Sequence, residues 1–176
     1  MAIWIIDPDH SVAAFVIRHM MVTNVRGQFN KISGEIYFDP SGITRSSVEA
    51  VIDASGIYTG IKKRDDHLRS PEFFDVEKYP LITFKSNKVE ATGGNRFRIN
   101  GDLTIHGITK SASLDAEYYG PEKSPYGETS IGFNAKTGIN LEDFGLTWNV
   151  DLESGGIMVG REAQILLDVE ADLKAD

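Results

Sequence analysis

The stretch Glu162-Ala163-Gln164-Ile165-Leu166-Leu167-Asp168-Val169-Glu170-Ala171-Asp172-Leu173 carries the reading of the fold. Ala163, Ile165, Leu167, Val169, Ala171 and Leu173 fall on one face, and Glu162, Gln164, Asp168, Glu170 and Asp172 on the other. Leu166 alone breaks the alternation. A period of two is what a half-buried strand requires, because successive side chains point to opposite faces. Segment 108–118 repeats the pattern, with Ile108, Ala112, Leu114, Ala116 and Tyr118 against Thr109, Ser111, Ser113, Asp115 and Glu117. Segment 97–105 does so through Phe97, Ile99, Leu103 and Ile105, and weaker alternations run over 12–19, 28–38, 48–54, 81–89 and 129–137.

Working outward, turn residues separate these runs: Asp39-Pro-Ser-Gly42, Thr92-Gly-Gly-Asn95, Gly120-Pro121, Ser124-Pro-Tyr-Gly127 and Ser154-Gly-Gly156. About eight antiparallel strands, most with one dry face, predict an all-β fold. Closure into a barrel removes exposed strand edges, while an open two-sheet sandwich fits the same residues nearly as well. Two segments depart from strand periodicity. Residues 59–79 carry helix signals, with Thr59 as a cap for the run Gly60 to Leu68. Ser70-Pro71-Glu72 then reads as N-cap, first-turn proline and acid, and Pro80 returns the chain to a strand. Residues 139–146 read as a short helical or coil insertion. No repeat, linker or low-complexity segment divides the 176 residues, so a single domain over 1–176 is expected.

Composition narrows the function. The net charge of −8, with no basic run longer than Lys62-Lys63-Arg64, argues against nucleic acid and against anionic membrane surfaces. There is no cysteine, which removes thiolate chemistry and disulfides. The N-terminal Met-Ala-Ile-Trp-Ile-Ile-Asp has no basic region and too short an apolar run for an export signal or a membrane span. A cytoplasmic protein without stable membrane insertion is expected. Walker, dinucleotide and Gly-x-Ser-x-Gly patterns are absent, so neither cofactor nor catalytic residue is assigned. The four histidines, His10, His19, His67 and His106, lack helical metal-pair spacing, and no metal is assigned. Small residues on the apolar faces (Ala50, Ala54, Ala112, Ala116, Ala135, Ala163, Ala171 and Gly101) leave interior volume. Either neighbouring side chains fill it or a ligand does.

Certain words of the sequence are similar to those of a known family. They are Asp7-x-x-His10-Ser11-x-x-x-Phe15-x-x-x-His19, then Gly27-x-Phe29. The longest is Arg64-x-x-His67-Leu68-x-Ser70-x-x-Phe73-Phe74-Asp75, running into Tyr79-Pro80-x-x-x-Phe84. Last come Gly101-x-Leu103-Thr104-Ile105-His106-Gly107-x-Thr109 and Asp143-Phe144-Gly145. In this order the chain resembles the YceI-like family, polyisoprenoid-binding, lipocalin-like barrels of bacteria. The resemblance implies an eight-stranded antiparallel barrel around an isoprenoid lipid, often a homodimer, with no established catalytic role. It departs at Leu141, where an arginine often precedes Asp-Phe-Gly, and at Arg161, where an acid is common. On these grounds His10, Phe15, His19, Arg64, His67, Phe73, Phe84, Ala112, Ala116 and Phe144 are the candidate ligand-contacting residues. We expect Asp7, His10, Arg64 and His67 to cluster at one end of the barrel. The competing readings are an enzyme of the same architecture, using a mouth histidine as general acid or base, and a dimeric stress-response or scaffold protein with a packed barrel.

Overall fold

A computed structural model describes residues 1–175. The strands are β1 (Ala2–Ile6), β2 (Val12–His19), β3 (Thr23–Phe29), β4 (Ile32–Phe38), β5 (Ser47–Asp53) and β6 (Ile57–Tyr58), followed by helix α1 (Lys62–Arg69). Then come β7 (Leu81–Gly93), β8 (Arg96–Ile105), β9 (Ile108–Lys123), β10 (Thr129–Asn140) and β11 (Val159–Leu173). All are joined in one antiparallel sheet, in which β1 pairs with both β4 and β11. That double pairing closes the ring and decides for the barrel over the sandwich.

Eleven strands occupy eight lines of the barrel, because three lines are broken at one height. β1 and β2 lie end to end along β11, through Ile6 opposite Ala171 and Val12 opposite Asp168. β3 and β4 form the next line, paired to β2 and β1 in turn. β5 and β6 form the third, paired to β4 and β3. The alternation misses β1, since Ile3 and Ile5 put apolar residues on its outer face as well.

Two cross-strand accommodations explain glycines in the sequence words. A Cβ on Gly27 would lie 2.3 Å from the Phe15 ring, and one on Gly101 would lie 2.4 Å from the Lys85 carbonyl oxygen and 2.7 Å from the Phe84 ring. Each glycine therefore leaves room for an inward phenylalanine.

One end of the barrel is sealed. Phe38, 1% exposed, has its ring 4.9 Å from that of Tyr118, 5.1 Å from Phe133 and 6.1 Å from Phe97. The Trp4 indole donates to the Phe38 carbonyl at 3.3 Å. The connection Pro40–Arg45, capped by Asp39, adds Ile43 to the same packing.

The opposite end is roofed by residues 59–80 and 141–158. Here the expected capping is corrected. α1 begins at Lys62, and Ile61, without a side-chain bond, stands at its cap. Thr59 points the other way: its N–H and hydroxyl donate to buried Asp65 at 2.9 and 2.5 Å, and the hydroxyl accepts from Arg64 Nε at 2.7 Å. Ser70 closes α1 instead of opening a second helix, donating to the His67 carbonyl at 2.6 Å, and hydrogen-bonded turns follow. Leu141–Phe144 form a single 3₁₀ turn.

Candidate functional site: an apolar cavity under a polar mouth

The inward faces of the strands enclose a cavity of about 400 Å³, inside the range that holds small ligands. Its floor is the Phe38, Phe97 and Phe133 packing, and its walls include Ile36, Val89, Ile99, Leu114 and Val169. Ala50, Ala112, Ala116, Ala135 and Ala163 border the space, so their missing side-chain volume lies open. Ala54 and Ala171, 1% and 0% exposed, are packed into the core instead. The barrel is therefore not filled by its own side chains. At the sealed end, just after the Pro40–Arg45 connection, the Ser46 hydroxyl is buried without a hydrogen-bond partner among the described residues.

Polar and ionisable side chains collect at the mouth. Arg18, His19, Arg64, His67 and Arg161 border the opening, together with Glu142. Arg161, standing where the family often has an acid, pairs with Glu142 at 3.0 Å, and Leu141 is buried against the cavity. Arg64 is held back by Thr59, donating to its hydroxyl and, at 2.8 Å, to its carbonyl. Three rings seam the roof: His67, Phe73 and Trp148 have centroids 5.0 to 5.2 Å apart, joining the α1 segment to the 141–158 connection. His67 Nε2 also contacts the Glu72 carboxylate.

Eight of the ten candidate residues border this space: Phe15, His19, Arg64, His67, Phe73, Phe84, Ala112 and Ala116. Two do not. Phe144 is buried, but beside the wall, and its carbonyl lies 3.2 Å from His106 Nδ1. Trp148 and Leu146 supply the inward surface there. His10 stands on the outer wall with its side chain 65% exposed, 2.6 Å from Asp7. The hydrogen bond to Asp7, with the Asp7 and Glu170 charges, raises the His10 pKa, and the same bond lowers that of Asp7. The expected single cluster of Asp7, His10, Arg64 and His67 is corrected to separate pairings. Asp7 meets His10 at the strand break, while Arg64 and His67 meet Thr59 and Glu72 in the roof. Trp148 and Leu146 were missed by sequence reasoning because 141–158 has no strand or helix periodicity to orient it; Arg161, noted only as a departure from the family words, also borders the mouth.

A closed antiparallel barrel, sealed below and roofed above an apolar interior, places the protein in the lipocalin-like class. Comparison with known proteins narrows this further. The YceI-like domain model matches residues 4–171, and the chain belongs to the YceI-like family. A UPF0312 protein of Vibrio cholerae is 37% identical over 137 residues, covering 78% of this chain and 72% of the relative. The crystal structure of Burkholderia cenocepacia BcnA superposes with a TM-score of 0.80 at 24% identity, covering 94% of this chain and 98% of its own. A polyisoprenoid-binding domain from Saccharophagus degradans, implicated in plant cell wall breakdown, superposes with a TM-score of 0.69 at 17% identity. That match covers 99% of this chain and 100% of the domain. Among the described residues no helix is long and apolar enough to cross a membrane.

Proposed function

We propose that the barrel binds the hydrocarbon chain of an isoprenoid lipid, of polyprenyl or quinone type, as a carrier or sequestering protein. The observation that carries this is the cavity: about 400 Å³, lined mostly by apolar side chains with a few hydroxyls such as Ser46 and Thr83, and with its ionisable side chains gathered at the mouth. Such a shape takes an apolar tail inward and leaves a polar end at the opening. The polyisoprenoid-binding domain of the same fold supports the choice of tail. Burying carbon is worth roughly 0.8 kcal/mol per methylene, so each prenyl unit contributes about 4 kcal/mol before chain ordering offsets part of it. The tail then dominates affinity.

The test is native mass spectrometry of freshly purified protein, followed by titration with isoprenoids of increasing length at low and high salt. Co-purified lipid and an affinity that climbs with length, then levels off, are expected, with little change in salt. Length-independent affinity overturns the reading. A homodimer, which the family resemblance implies, is checked by analytical ultracentrifugation of the same sample.

The enzymatic alternative has one observation in its favour, the His67–Glu72 contact at the mouth, an arrangement suited to general acid–base work. We favour binding without turnover, because the cavity beneath that dyad is lined mostly by apolar side chains that hold a tail. Incubating the co-purified lipid with protein and finding a converted product decides for the alternative.

A further inference from the structure

The Asp7-x-x-His10 word takes no part in the cavity, yet the fold brings it against a third side chain with metal-binding chemistry. Asp7 and His10 lie on the turn between β1 and β2, where the first line of the barrel is broken, and Glu170 lies on the neighbouring strand β11. The backbone on both sides is fixed. The Asp7 N–H donates to the Glu170 carbonyl at 2.9 Å; the Ser11 hydroxyl donates to that carbonyl at 3.2 Å and accepts from the Glu170 N–H at 3.1 Å. One ligand atom each from Asp7, His10 and Glu170 lies within 4.8 Å of the others. Asp7 and His10 satisfy each other at 2.6 Å. Among the described residues the half-buried Glu170 carboxylate has neither a hydrogen-bond nor an ion-pair partner. A second carboxylate within 4.8 Å of an acid–imidazole pair is a donor set of the kind that binds cations.

We propose that Asp7, His10 and Glu170 form a divalent-metal site on the outer wall of the barrel, suited to a zinc-class ion. One imidazole nitrogen and two carboxylate oxygens supply three ligands, and water completes the shell. Bonds of about 2.0–2.2 Å place tetrahedral donors roughly 3.4 Å apart. Modest side-chain rotation brings the three donors to that spacing. Asp7 and His10 separate as the ion enters and displaces the proton they share. The imidazole nitrogen disfavours magnesium and calcium, which prefer oxygen ligands. The bound ion clamps the broken line onto β11, so it stabilises the folded chain by mass action.

The experiment titrates chelator-treated, tag-free protein with zinc chloride by calorimetry and follows thermal unfolding in parallel. Saturable binding of one zinc per chain and a raised Tm are expected, with magnesium chloride giving neither. His10→Ala and Glu170→Gln each weaken zinc binding by at least about tenfold, while His19→Ala leaves it unchanged. His10 is exposed, and near-UV circular dichroism verifies that its variant keeps the native packing. Absence of saturable zinc binding overturns the proposal. So does binding that survives both His10→Ala and Glu170→Gln, or that is lost in His19→Ala.

Discussion

At the floor of the barrel Phe38 is 1% exposed and meets three other rings, whereas at the mouth His67, Phe73 and Trp148 meet chiefly one another and stay half-exposed. Both ends are aromatic, but they are held differently. The floor rings project from the long strands β8, β9 and β10 and from the end of β4, where Phe38 pairs with Ala2, so the backbone ladder holds each ring in place. The mouth rings sit on a helical connection and an irregular loop, which rest on the strands without joining the sheet. Stability is concentrated where rings are fixed by the sheet, and access to the interior where they are not.

The largest expected effect lies at the floor. Phe38→Ala removes the ring at the centre of that packing and should cost about 3–5 kcal/mol, read from the denaturant midpoint at constant m. An equally large loss from Phe73→Ala would erase the distinction between the ends. Next is the wall between them. Ala112→Phe fills open cavity, so lipid uptake should fall sharply while stability changes little. Overpacking at a filled site would instead cost roughly 1–3 kcal/mol with uptake unchanged. Smaller again is the roof. Trp148→Ala removes one edge-to-face and one tilted ring contact, each worth about 0.5–1.5 kcal/mol, and should speed lipid entry and release, measured by stopped-flow with a fluorescent prenyl probe. Slowed release would mean that the seam is not the gate.

The smallest effect concerns the floor connection in acid. The hydrogen bond from Ser41 holds the Asp39 carboxyl below its ordinary 3.8. A lowered carboxylate adds stability that is present above 3.8 and is lost as pH falls through its folded value. The Tm gap between wild type and Asp39→Ala should therefore narrow as pH drops below that ordinary value. A gap that widens in acid reverses the sign and removes Asp39 from the account.

Strand periodicity was legible over most strands with one wet face, though it missed 23–27 of β3. The alternation at 108–118 and 162–173 lies inside β9 and β11, and 97–105 fills nearly all of β8. It failed at β1, whose outer Ile3 and Ile5 hide the period, and at two-residue β6. It also read 28–38 as one run, because a break at 30–31 changes pairing partners without changing composition. The motif words marked positions that need special packing, such as Gly27 beneath Phe15. They did not distinguish positions that face the cavity from those that brace its wall, which is why Phe144 and His10 sit apart from the rest.

By itself the sequence determined the element types, the apolar faces and the family, because these depend on local periodicity and on words short enough to survive as such. Tertiary structure alone decided that the ring closes through β1, that three lines break at one height, and that alanine gaps from four different strands open into one space. It alone brought Glu170 to Asp7 and His10. The physical reason is register. Which residue of one strand stands opposite which residue of another is set by the sum of pairings around the whole barrel, and no stretch of chain contains that sum.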